Sequence, residues 1–214
     1  MSLLDKIKGL IGSNEIQEII KEFSDTIDAE KKLVKESRQR ISSLIAYSKV
    51  ETPTLREAIE SLGNTFENID NAREEKIDQM QEKFIQPLNL LLEEFKTLSM
   101  ELRESDKAKK DLDKAKAKLT KLKGKPKEKM KPYQVEDAED AVGKAAQEVL
   151  TKEKEAKEAS EIFNRKKLET MKAVLDDVIS IEKDFHEKVI KFMATAQKKT
   201  EAIDLEEKPA ELPE

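Results

Sequence analysis

The stretch LREAIESLGNTFENIDNAREEKIDQMQEKFIQPLNLLLEEFKTLSMEL, residues Leu55 to Leu102, decides the fold. Apolar residues return at Leu55, Ile59, Leu62, Phe66, Ile69, Ile77, Met80, Phe84, Leu88, Leu91, Phe95, Leu98 and Leu102, and only Arg73 breaks the line. The steps alternate between three and four residues, a period near 3.5, which marks coiled-coil-like packing. Pro87 lies inside the stripe. It removes one backbone hydrogen bond, yet the pattern resumes at once, so the sequence predicts a kink in a continuous helix.

Two further helices flank this one. Asn14 can cap a first helix, followed by Ile16, Ile19, Ile20, Phe23, Ile27, Leu33, Val34, Ile41, Leu44 and Ile45 at helical spacing. The stretch Ser48 to Thr54, with Pro53, ends it. Beyond Leu102 the stripe thins to Ala108, Leu112, Ala115, Leu119 and Leu122, and Gly124 and Pro126 stop the second helix. A third helix is predicted from about Val135 to about Thr200. Its first half is thin and Ala-rich. Its second half thickens to the pairs Ile162/Phe163, Val174/Leu175, Val178/Ile179 and Phe192/Met193. The second and third helices each extend roughly 100 Å at ~1.5 Å per residue, and their short connection makes them antiparallel. Stripes this wide in a slender bundle leave apolar surface uncovered, and dimerisation through the thick end is the economical solution. The predicted fold class is all-α: three long kinked antiparallel helices forming an elongated coiled-coil dimer. Residues 1–13 form an amphipathic segment, 14–200 the three-helix domain and 201–214 an acidic disordered tail.

Composition agrees. Of 214 residues, 41% are charged and 37% hydrophobic, with 5 Gly and no Trp. Ordinary globular domains carry about 25% charged residues. Long thin helices, which each need one apolar stripe, fit this balance. The chain has no Cys, so disulfides and thiolate metal sites are excluded and a reducing compartment fits. No apolar run is long enough to span a bilayer, and the opening MSLLDKIKGLIGS, interrupted by Asp5, Lys6 and Lys8, lacks a secretion signal's apolar stretch. It starts Met-Ser rather than Met-Gly, so myristoylation is not indicated. A cytoplasmic location, peripheral on membranes, is the expectation.

Charge is unevenly spread. Arg103 to Gln134 holds 13 Lys and Arg against 5 Asp and Glu, a balance of +8 inside a chain of net charge -5. The lysines are Lys107, Lys109, Lys110, Lys114, Lys116, Lys118, Lys121, Lys123, Lys125, Lys127, Lys129 and Lys131. Near anionic lipid each contributes about 1 kcal/mol. The block has one aromatic, Tyr133, and no Arg after Arg103, whereas base readers favour Arg and stacking rings, so no nucleic acid is expected. At the N-terminus, Leu3, Leu4, Ile7, Leu10 and Ile11 fall in one arc of roughly 120° on a helical wheel. Such a segment either lies in a lipid interface or packs back on the protein.

Catalysis is not expected. There is one His, His186, no Gly-rich phosphate loop and no sheet to converge groups, and neither cofactor nor metal is called for. Two functions from different classes remain: a membrane-binding module, or a soluble coiled-coil scaffold or tether acting on other coiled-coil proteins.

Three stretches carry a family resemblance. FIQPLNLLLEEFKTL (Phe84 to Leu98) looks like a kinked second helix, ESDKAKKDLDKAKAKLTKLKGK (Glu104 to Lys125) like a basic arm with Leu112 where an aromatic is commoner, and LETMKAVLDDVISIEKDFHEKVI (Leu168 to Ile190) like a third helix carrying Phe185–His186. In this order they resemble the BAR domain family, over about residues 1–200. The resemblance implies a crescent-shaped homodimer that binds anionic membranes on its concave face and senses or imposes curvature. The Leu3–Ile11 segment resembles the amphipathic wedge of the N-BAR subgroup.

Overall fold

The computed structural model describes residues 13–126 and 131–207. Among them the regular structure is entirely helical: α1 (Ser13–Ser48), α2 (Pro53–Met80), a π turn (Gln81–Ile85), α3 (Gln86–Lys123) and α4 (Pro132–Glu201). The predicted second helix is therefore α2, the π turn and α3 in succession. Pro53 opens α2 at its first turn, where a missing N–H costs nothing, rather than simply ending α1. Pro132 opens α4 in the same way.

Pro87 leaves the helix continuous, as expected. Its ring and missing N–H conflict with the ordinary i−4 bond, and the backbone answers with a π turn ahead of it. The turn takes in one residue more than an α-helical turn, and the buried line carries on through it at the same spacing, from Ile77 and Phe84 to Leu91 and Leu98.

The chain divides into two compact units. One comprises Glu18–Leu88 with Lys172 onward. Here α1 contributes a seven-residue line of buried side chains, Ile27, Val34, Ile41 and Ser48. Ala58, Ile69, Ala72, Ile77, Met80, Phe84 and Leu88 face it from α2 and its continuation, with Val174, Ile181, Phe185 and Ala196 from α4. The α1–α2 hairpin closes tightly at Gly63, where a Cβ would lie 2.8 Å from Ile45 Cδ1. The C-terminal end of α1 leaves carbonyls without helical partners. Arg56 covers them, donating from Nε to the Ser48 carbonyl at 3.2 Å and from Nη2 to those of Lys49 and Glu51. Residues 202–207, expected from the sequence to begin a disordered tail, return to the start of α2. The Thr54 amide and hydroxyl both donate to Glu207, at 2.8 and 2.5 Å.

The other unit contains Asn89–Met171 and the first turn of α1. Antiparallel pairing of α3 and α4 is fixed by Phe95 against Phe163, with ring centroids 5.9 Å apart, by Glu104–Lys152 at 3.0 Å and by Lys123–Glu139 at 2.6 Å. Its core follows a heptad line on each helix, Leu91, Leu98 and Ser105 on α3 and Val149, Ala156 and Phe163 on α4, with Leu102, Ala108 and Ala138 buried beside them. Past Ala108 the α3 stripe is only half-buried, as its small residues predict.

Candidate membrane and self-association surfaces

The basic block starts in α3 and enters the following loop. Of its lysines, Lys127 and Lys129 lie outside the described residues, as do all five apolar residues of the N-terminal segment, Leu3, Leu4, Ile7, Leu10 and Ile11. The rest are exposed, except Lys109, which is half-buried. They do not form a uniform patch. Lys109 pairs with Glu153 at 2.9 Å, Lys114 with Asp111 at 2.8 Å and Lys123 with Glu139. The Lys114 hydrogen bond, aided by the nearby charges of Lys114 and Lys107, holds the Asp111 carboxyl below its ordinary range, so this pair is neutral as a unit. Lys110, Lys116, Lys118, Lys121 and Lys125 make no ion pair among the described residues, and Lys131 lies over the Tyr133 ring at 5.8 Å. Steps of three or four place Lys110, Lys114, Lys118 and Lys121 along one side of a helix that ends at Lys123, with Lys125 just beyond its end.

A second basic group, on α1, is more fully neutralised. Lys31 lies 3.8 Å from Asp28, Lys32 3.9 Å from Glu36, and Arg38 2.8 Å from Glu74.

The thick apolar stripe of α4 splits into two. Val174, Ile181 and Phe185 are buried in the chain's own core. Leu175, Ile179, Ile190 and Met193, a step of about 100° round the helix, are exposed, with His186 among them. On α1 a matching exposed line runs Leu33, Arg40, Tyr47 at seven-residue spacing. Between these lines a cavity of about 310 Å³ opens, walled by Leu33, Phe66, Ile69, Phe185, Val189 and Met193. Asp70 and Arg73 line its interior.

Sequence patterning did not reveal the charged centre behind this cavity. The Lys76 side chain is 9% exposed and joins all three helical segments of its unit, bridging Glu30 of α1 at 2.8 Å and Glu182 of α4 at 3.0 Å. Its Nζ lies 4.9 Å from the centroid of the Phe185 ring, and the Arg73 guanidinium 5.2 Å from the same centroid. Arg73, the one interruption of the α2 stripe, was the visible signal.

No helix among the described residues is long and apolar enough to cross a membrane, and no cluster of three or more His, Asp or Glu is placed to hold a metal.

These surfaces sit on long helices that pair through heptad lines of buried side chains. The BAR domain family profile matches residues 11–202. This chain belongs to the BAR domain family, whose members are non-enzymatic modules that sense or generate membrane curvature and generally dimerise. Among solved structures it is similar to the N-terminal I-BAR domain of D. discoideum IBARa, at 14% identity and TM-score 0.58, covering 94% of this chain and 90% of that one. The EFC/F-BAR domain of Drosophila Syndapin/PACSIN is a more distant match, at 15% identity and TM-score 0.37, covering 93% and 80%. No curated protein is matched as a relative.

Proposed function

We propose that this BAR domain is a homodimeric peripheral membrane protein, cytoplasmic in location, that binds anionic phospholipid and senses or generates curvature during membrane remodelling and trafficking. The observation that carries the reading is the run of exposed lysines without ion-pair partners among the described residues, Lys110, Lys116, Lys118, Lys121 and Lys125. Distributed lysines bind head groups through summed electrostatics, not through a shaped pocket. The dimer is supported by the second α4 stripe: a soluble monomer rarely leaves so continuous an apolar line uncovered. The Leu3–Ile11 arc supplies a wedge that enters the lipid interface once the lysines have brought it there.

Co-sedimentation with small vesicles tests this. Binding is expected on vesicles rich in phosphatidylserine, with steep loss as salt rises and weak binding to neutral lipid. A dimer that ignores anionic vesicles at low salt would overturn the membrane reading in favour of a soluble scaffold or tether.

A further inference from the structure

The cavity between α1 and α4 holds two polar groups left unmet by the chain. Asp70 is 3% exposed, and its Oδ2 has no hydrogen-bond partner among the described residues. Arg73 Nε is likewise without one. A buried carboxylate oxygen without a partner is costly, and native proteins rarely leave one so. At the mouth of the same cavity stands Arg40. It is exposed and makes no ion pair among the described residues, although three of its charged neighbours on α1, Lys31, Lys32 and Arg38, all do. It also occupies the middle of the open line Leu33–Arg40–Tyr47, where an apolar residue is the norm.

We propose that this cavity is the register slot of the homodimer: Arg40 of one copy enters the slot of the other and donates to Asp70, and the reverse. The inference rests on the homodimer reading and adds which polar contact fixes its alignment. A two-fold interface uses one patch twice, so a free cation and an unmet carboxylate on the same patch are self-complementary. Two Arg40 and two Asp70 then form a neutral set, with Arg73 and His186 as the other charged or titratable side chains lining the cavity. The apolar lines alone, repeating every seven residues, allow slippage by a heptad. A single polar position that is satisfied in one alignment only removes that freedom. Guanidinium suits the task because its planar fork matches a carboxylate. The rival arrangement is Arg40 turning inward onto the Asp70 of its own chain.

Mixing separates the two. Arg40→Gln and Asp70→Asn chains, carrying different tags, are studied alone by sedimentation and then mixed. Arg40 is exposed, so its variant folds, and helicity by circular dichroism checks the other. Each variant alone is expected to dimerise about tenfold or more weakly than wild type, a typical loss for a desolvated charged contact. In the mixture, the heterodimer keeps one complete Arg40–Asp70 contact, whereas each homodimer keeps none. Native mass spectrometry is expected to show heterodimer well above the half given by random pairing. Random pairing would place the contact within one chain and overturn the proposal. Variants that dimerise like a dimeric wild type would overturn it and leave the homodimer standing. A monomeric wild type would overturn both.

Discussion

The ring of Phe23 lies against that of Phe84, centroids 4.2 Å apart and planes tilted by 35°. Phe84 belongs to the π turn that Pro87 imposes, and it is buried. The extra residue of the turn sets the angle at which Phe84 meets α1, so the proline and this ring pair act together.

Phe84→Ala removes that contact where the backbone is least regular. A cost of about 3–5 kcal/mol is expected, visible as a lower urea midpoint. Phe84→Leu, which keeps most of the volume, should lose under half of that. Equal stability of the alanine variant and wild type would contradict the burial described.

Lys76 holds two carboxylates from two other helices, and replacing it strands them. Lys76→Met is expected to cost about 1–3 kcal/mol, less than a fully buried pair because Glu182 is 38% exposed. The triple variant Glu30→Gln, Lys76→Met, Glu182→Gln should recover most of the loss, since the liability is the stranded charge and not the missing attraction. A triple variant worse than the single one would show that the bridge itself stabilises the unit.

Glu207 is held at the start of α2 by the Thr54 hydroxyl and amide, which lower its pKa from the ordinary 4.5. A lowered carboxylate pKa means stability that is present above the unfolded value and lost as pH falls through the folded one. The melting temperatures of wild type and Glu207→Gln should therefore differ near pH 7 and converge below pH 4.5. A difference that persists unchanged at low pH would mean that the charge of Glu207 is not what holds the clamp.

Reversal of Lys121, Lys123, Lys125 and Lys127 to Glu should lower binding to anionic vesicles more than tenfold, at about 1 kcal/mol per lost contact. Lys123→Glu also sets two acids side by side by opposing Glu139. The α3 stripe is thin there, so the dimer should survive. A quadruple variant that binds like wild type would move the membrane surface elsewhere, first to Lys35 and its neighbours on α1.

Changing Leu4 and Ile7 to Glu should weaken binding to small, highly curved vesicles and leave helicity unchanged. Each apolar side chain withdrawn from lipid is worth roughly 1.5–3 kcal/mol. Unchanged binding would mean that the segment packs on protein.

The helices were legible because their cause is local and repeats. Heptad lines such as Ile27–Val34–Ile41 and Val149–Ala156–Phe163 are visible as spacing, and Pro53 and Pro87 sit where a missing N–H is tolerated or answered by a changed turn. The basic block was legible for the same reason, as a run of like residues. The partners of those residues were not. That Lys109 and Lys123 face Glu153 and Glu139 depends on the α3–α4 register, which no single helix contains. The double apolar positions of α4, Val174/Leu175 and Val178/Ile179, are plain in the sequence, but not that Val174 is buried while Leu175 and Ile179 are open. Packing settles that by choosing which side of α4 meets α2. Lys76 and Asp70 are the extreme cases. In the sequence they are two charged residues among many. Only the convergence of three helices takes them out of water, leaving Lys76 paired on two sides and Asp70 with an oxygen still to be met.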